Sequence, residues 1–207
     1  MPWQTAMPWQ AERDAPRGVG SGPAAGPSGH AVTLFPTATL PTLPVDQPSI
    51  ALLTPSQPAE MEPVRAIFQE YGDSLGIDLQ FQGFDAELAD LPGDYAPPRG
   101  QILLAEVDGA IAGCCALRPL DTADYPNAAE MKRLYVRKAF RGFGLGRQLA
   151  EAMLDVARQA GYASVLLDTL DGMESARALY ADLGFEEIPP YYHNPIAGSH
   201  YLKVDID

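Results

Sequence analysis

The stretch RLYVRKAFRGFGLGRQLAEAM, Arg133 to Met153, restricts what this chain can become more than any other. An apolar run that reads as a strand leads through Gly142, Gly144 and Gly146 into an amphipathic run that reads as a helix. Glycines there let the backbone adopt φ values closed to other residues and approach a ligand closely. The first N–H groups of a helix have no intrahelical partner, and the helix dipole adds partial positive charge at that end. Strand, glycine turn and helix start together make a site for a phosphate or pyrophosphate, with Arg141 at its head. A turn that merely joins two elements is the competing reading. Spacing excludes two common ligands. A P-loop needs GxxxxGK followed by Ser or Thr, and no such pair follows these glycines. A dinucleotide fingerprint needs GxGxxG, whereas this series is GxGxG with Arg147 where the third glycine belongs.

Charge sharpens the picture. The formal net charge is -13, so general nucleic-acid binding is excluded by repulsion from the phosphates. Yet six of the 14 Lys and Arg residues fall between positions 132 and 147: Lys132, Arg133, Arg137, Lys138, Arg141 and Arg147. One basic turn in an acidic chain fits a small anionic ligand, or else a solvated charged turn, while the acidic remainder tolerates a cationic partner. The two cysteines, Cys114 and Cys115, are adjacent in an apolar run. As neighbouring strand residues they point to opposite faces and do not bridge, and they read as small core side chains of a reducing compartment. No run approaches about 20 apolar residues, and no basic-then-apolar leader opens the chain. No membrane span or secretory signal is expected, and the expected location is cytoplasmic.

Residues 1–48 differ from the rest, with nine of the 20 prolines, few large aliphatics and MPWQ occurring twice. Such a segment cannot bury enough apolar surface to offset its chain entropy, so it reads as a disordered leader or a short docking segment. Residues 49–207 read as one folded domain, for which 46% hydrophobic content suffices. SIALLT is a strand, and PAEMEPVRAIFQEYGDSLG a helix with Met61, Val64, Ile67, Phe68 and Tyr71 on one stripe. A long connection follows, with one short helix near Phe84–Leu91. QILLAEVDGAIAGCCALRP is two strands joined by Asp108-Gly109, both positions favouring positive φ. AAEMKRLYV is a strand, and the next helix carries Leu145, Leu149, Ala152, Met153, Val156 and Ala160 before Gly161 closes it. SVLLDTL is a strand buried on both faces, MESARALYADLGF a helix, and FEEIP with SHYLKVDI a closing hairpin.

Two motifs now carry a resemblance. Arg141 to Gly146, RGFGLG, is similar to the R/Q-x-x-G-x-G/A signature of the GCN5-related N-acetyltransferase (GNAT) superfamily. ALYADLGFEE, Ala178 to Glu187, looks like that family's second motif, with Ala176, Leu179, Tyr180, Gly184 and Phe185 filling the pattern. The resemblance covers about residues 49–207, including the order of elements. It implies an α/β (α+β) fold: a mixed, mostly antiparallel twisted sheet of about seven strands flanked by about four helices. A splayed parallel strand pair would mark the cofactor site.

The resemblance further implies acetyl-CoA, or another acyl-CoA, as co-substrate, with no metal. Its pyrophosphate would rest on the backbone of Arg141, Gly142, Phe143, Gly144, Leu145 and Gly146, with Arg147 at the rim. Its pantetheine arm would pair like an extra strand with Leu134, Tyr135 and Val136, and a backbone N–H near Leu134 would polarise the thioester carbonyl. Tyr180 matches the family's general acid; packing the helix against the sheet is its other reading. Glu130 is the candidate base, on the assumption that positions 130, 132, 134 and 136 alternate onto one face. It also reads as an ordinary edge carboxylate, with water as the base. Met173 stands where many members carry an asparagine that reaches the cofactor.

Acceptor recognition is expected in the irregular parts. Phe81, Phe84 and Tyr95 belong to the 78–95 connection; Tyr191, Tyr192, His193 and Asn194 belong to a loop stiffened by Pro189, Pro190 and Pro195. His193 reads equally as a surface histidine, and His200 alternates along the last strand. The expected reaction is transfer of acetyl to a primary amine, of a small molecule first and of a protein or peptide second. A regulatory module that binds acyl-CoA without turnover is the alternative from another class. Homodimers are common in the family, and one is allowed for here; neither nucleic acid nor membrane is an expected partner.

Overall fold

The computed structural model describes residues 48–206 apart from 121 and 123. The expected leader, residues 1–48, lies outside the described residues save for Pro48. Among the described residues, seven strands form one sheet: β1 (Ile50–Leu53), β2 (Gln101–Val107), β3 (Ala110–Leu120), β4 (Ala128–Val136), β5 (Ser164–Leu170), β6 (Glu186–Ile188) and β7 (Ser199–Asp205). Their order is β1-β2-β3-β4-β5-β7-β6. Every neighbouring pair is antiparallel except β4 and β5. Four helices complete the fold: α1 (Met61–Leu75), α2 (Phe84–Asp90), α3 (Leu145–Gln159) and α4 (Glu174–Asp182). The mixed sheet with its single parallel pair is the expected fold class.

Local chemistry explains the elements. Asp108 and Gly109 take φ of 49° and 81°, the two positive values that a two-residue hairpin turn between β2 and β3 requires. The Asp108 carboxylate also accepts a hydrogen bond from the Ser49 N–H at 2.8 Å, fastening β1 to the same turn. α1 buries Met61, Val64, Ile67 and Phe68 against the sheet, as its period predicts. α3 buries Leu145, Leu149, Ala150, Met153, Leu154 and Ala157. Its stripe is rotated from the expected one: Ala152 and Val156 are only half-buried and Ala160 is exposed. The helix packs chiefly over β2, β3 and β4, which turns that flank outward.

Two cores result, one on each face of the sheet. α3 covers Leu103, Cys115, Met131, Val165 and Leu167, while α1 and α2 cover Ile102, Leu104, Cys114 and Ala116. Cys114 and Cys115 are both fully buried and sit in opposite cores, as adjacent strand residues should.

The irregularity that matters lies in β4. Lys132 faces Ala116 and Tyr135 faces Cys114, so β4 advances three residues while β3 advances two. Arg133 sits in this bulge with φ of 60°. The expected alternation therefore fails. Leu134 and Val136 join Met131 against the α3 core, whereas Arg133 and Tyr135 turn with Lys132 and Glu130 toward α1 and α2.

Candidate active site

β4 and β5 pair over three positions, Ala128–Ser164, Ala129–Val165 and Glu130–Leu166. Both strands continue, β4 to Val136 and β5 to Leu170, without pairing further. The gap this leaves opens into two cavities, one on each side, and both are lined by Leu134 and Met173.

The wider cavity holds about 790 Å³ and runs along the glycine turn. Leu134, Tyr135, Val136, Arg141, Gly142, Gly144, Leu145, Gly146 and Arg147 all line it. Phe143 does not; its side chain is 50% exposed at the tip of the turn. Gly142 and Gly144 have φ of 91° and 74°, values that cost an L side chain about 1–2 kcal/mol. Gly144 is the N-cap of α3, so the free N–H groups of that helix open on the cavity. Arg141 donates from Nε to the Val136 carbonyl at 3.1 Å, and Arg147 pairs with Asp182 at 2.9 Å. Across the gap, Ala176, Leu179 and Phe140 give the cavity an apolar wall. A cationic, N–H-rich end joined to an apolar channel fits a pyrophosphate carrying a long arm, as acyl-CoA does.

The six clustered cations divide. Arg133 pairs with Glu87 at 2.7 Å, Arg137 with Glu70 at 2.8 Å, and Lys132 with Glu130 and Asp168 at 3.5 and 3.3 Å. These three are neutralised on the α1–α2 face. Lys138, Arg141 and Arg147 lie around the glycine turn, where Arg147 is itself paired with Asp182 and Glu151.

The narrower cavity, about 40 Å³, lies on the other side of the gap. Tyr180, Phe81 and Asn194, all expected at the site, line it. Tyr180 comes from α4, and none of the described residues hydrogen-bonds its hydroxyl. Burial pushes its pKa well up, and the nearby charge of Asp168 adds to this, so the phenol holds its proton at any working pH. Tyr191 and Tyr192 stand behind the wall, 5.3 Å apart between centroids, and each meets Tyr201 edge-on at 5.4 and 5.5 Å. The Tyr192 hydroxyl accepts from Asn194 and Gln82 at 3.1 and 3.2 Å. His193 is exposed and is not among the lining residues. Phe84 and Tyr95 belong to the core: Phe84 packs under the Arg133 guanidinium at 4.9 Å, and Tyr95 meets Phe68 edge-on. Met173 accepts a hydrogen bond from Thr169 at its Sδ, 3.6 Å away, and lines both cavities where they meet.

Glu130 is not on the wall. It is 2% exposed, and Arg118 holds Oε2 at 2.7 and 2.8 Å while the Tyr191 hydroxyl donates to Oε1 at 2.9 Å. Burial acts to raise its pKa, but Lys132, Arg118 and the hydrogen bonds from Arg118 and Tyr191 outweigh it and hold the carboxyl below its ordinary value. A carboxylate with its lone pairs occupied and its basicity lowered is a poor proton acceptor for an amine. Asp168, from β5, does line the cavity, as do Lys132, Gln82 and Tyr71. The signal for Asp168 was a lone carboxylate inside the apolar run SVLLDTL, which burial of both strand faces does not explain.

Comparison with known proteins supplies the remaining facts. The sequence model of the acetyltransferase (GNAT) family matches residues 64–185, which include the glycine turn, β4, β5 and α4. An uncharacterized N-acetyltransferase of Schizosaccharomyces pombe is 38% identical over 76% of this chain and 96% of its own length. A GNAT-family acetyltransferase structure from Staphylococcus aureus superposes with a TM-score of 0.62 at 20% identity, covering 77% of this chain and all of that one. A Salmonella typhimurium acetyltransferase structure with its cofactor acetyl-CoA gives a TM-score of 0.54 at 18% identity, over 76% of this chain and 94% of that one. At these identities the structural likeness is one of fold.

Proposed function

The chain belongs to the acetyltransferase (GNAT) family as an acyl-CoA-dependent N-acetyltransferase, and we propose that it moves acetyl from acetyl-CoA to a primary amine of a small molecule. The observation that carries this reading is the meeting of the two cavities at Leu134 and Met173, where β4 and β5 part. A donor in the wider cavity and an acceptor in the narrower one would meet there and nowhere else. The small volume of the narrower cavity favours an amine head group over a folded protein surface.

The wider cavity would take the pyrophosphate at the start of α3 and the pantetheine arm along Leu134 to Val136. A backbone N–H at Leu134, just past the bulge, would then hold the thioester carbonyl oxygen as negative charge develops on it. The amine attacks the carbonyl carbon directly, the C–S bond breaks, and Tyr180 gives its phenolic proton to the departing sulfur. Glu130 acts on this step through others: it fixes Lys132 on the cavity wall and Tyr191 behind it.

Release of CoA thiol, measured with a panel of primary amines, tests the proposal. Acetyl-CoA-dependent thiol release with small amines, and little with peptides, is expected. Tight acetyl-CoA binding with no turnover across small amines and peptides would contradict it and favour a binding module.

A further inference from the structure

An alkyl ammonium must lose a proton before it can attack, so the site needs an acceptor for that proton. Two carboxylates lie near the narrower cavity, and Glu130 is shut behind its ion pairs. Asp168 differs in each respect. It stands on β5 two residues beyond the last pair with β4, so its strand faces the gap there rather than a ladder partner. Its side chain is 15% exposed, and it is the one carboxylate among the residues lining the cavity. Among the described residues one cation pairs with it, Lys132 Nζ at 3.3 Å from Oδ1, where Glu130 has two cations and the Tyr191 hydroxyl. Its negative charge helps to raise the pKa of Tyr180 and of Tyr71, which line the same cavity. Tyr180 and Asp168 thus line one small space, a phenol and a carboxylate on either side of it.

We propose that Asp168 is the general base of the acetyl transfer, with Lys132 as the residue that positions it. This rests on the acetyltransferase reading above. The alkyl ammonium gives one proton to the Asp168 carboxylate, and the lone pair so freed forms the N–C bond. The C–S bond breaks with its electron pair on sulfur, which takes the Tyr180 proton. The proton still to be lost by the new amide nitrogen returns to the Tyr180 phenolate, and Asp168 releases its own to solvent, so an ammonium and acetyl-CoA give the amide, CoA thiol and one proton.

The test compares two acceptors of similar size in the wild type and in Asp168→Asn: an alkylamine, largely protonated at neutral pH, and an alkoxyamine, largely neutral there. Loss of the base should lower kcat/KM for the alkylamine by about a hundredfold or more. The alkoxyamine should lose less than about tenfold, because its nitrogen needs no base to become nucleophilic. Acetyl-CoA affinity, measured by calorimetry, should stay within about threefold. Asp168→Glu should recover part of the alkylamine rate, and it carries the test if the asparagine variant fails to fold. Equal loss with both acceptors, or near-normal alkylamine turnover in Asp168→Asn, would overturn the assignment while leaving the acetyltransferase reading intact. A wild type that binds acetyl-CoA and acetylates neither amine would remove the reading beneath it, and the assignment with it.

Discussion

Arg133 and Glu87 lock together side by side, Nε to Oε1 at 2.9 Å and NH2 to Oε2 at 2.7 Å, beneath the surface between β4 and α2. The arginine is the bulge residue of β4, at φ of 60°, and its guanidinium also donates to Gln82 at 3.3 Å. The segment that walls the narrower cavity is thereby braced against the turn of β4 that presents Leu134. Glu87→Gln should leave a buried guanidinium without its counter-charge and lower stability by about 3–5 kcal/mol. Urea denaturation measures this, and a loss below about 1 kcal/mol would mean the pair does not hold the bulge.

Glu130 offers a test by pH. Its lowered folded pKa means its contribution to stability is present above the ordinary value of 4.5 and is lost as pH falls through the folded value. Glu130→Gln should therefore destabilise the protein at neutral pH, and the gap from wild type should close as the solution is acidified below about 4.5. Turnover in the folded variant should fall by less than about tenfold, as suits a group that positions others. A loss of a hundredfold with unchanged stability would restore Glu130 as the base.

His200 runs the other way. Its Nε2 lies 2.5 Å from Asp171 and its Nδ1 2.9 Å from Glu187, and these hydrogen bonds raise its pKa above the ordinary 6.5. The stability it contributes is complete below about 6.5 and is lost as pH rises through the raised folded value. Both carboxylates are exposed, so the effect is small and salt-dependent. Melting curves between about pH 6 and about pH 9 should show a steeper fall of Tm in the wild type than in Asp171→Asn. Parallel slopes would show that the histidine is not charged by its neighbours.

The glycine turn can be tested without touching any side chain. A Cβ at Gly142 meets no atom within 4 Å, so Gly142→Ala acts through its φ of 91° alone. The substitution should cost about 1–2 kcal/mol of stability and weaken acetyl-CoA binding as the turn reshapes. Unchanged affinity, read by calorimetry, would separate the turn from the pyrophosphate.

How far the chain could be read from its sequence depended on how local each signal was. The hairpin at Asp108-Gly109, the α1 stripe and the glycine turn are set by neighbouring residues and appear where expected. The bulge at Arg133 is not local: it comes with a guanidinium satisfied 46 residues away by Glu87, and nothing in MKRLYV announces a positive φ. That one residue turns Leu134 away from Glu130. Asp168 was visible as a carboxylate in an apolar strand, but its access to a cavity follows from β4 and β5 parting, a tertiary fact. Tyr191 and Tyr192 were placed near the acceptor by their loop, yet their hydroxyls serve Glu130 and Asn194 rather than the cavity wall.

The most direct test of the account is Tyr180→Phe, assayed for thiol release and for acetyl-CoA binding in the same preparation. Removing only the hydroxyl leaves the ring packed against Phe185, at 5.5 Å between centroids, so folding should survive. With Tyr180 as the proton donor to sulfur, kcat should fall by about a hundredfold or more. The dissociation constant for acetyl-CoA should stay within about threefold of wild type. Full turnover in the phenylalanine variant would contradict the account.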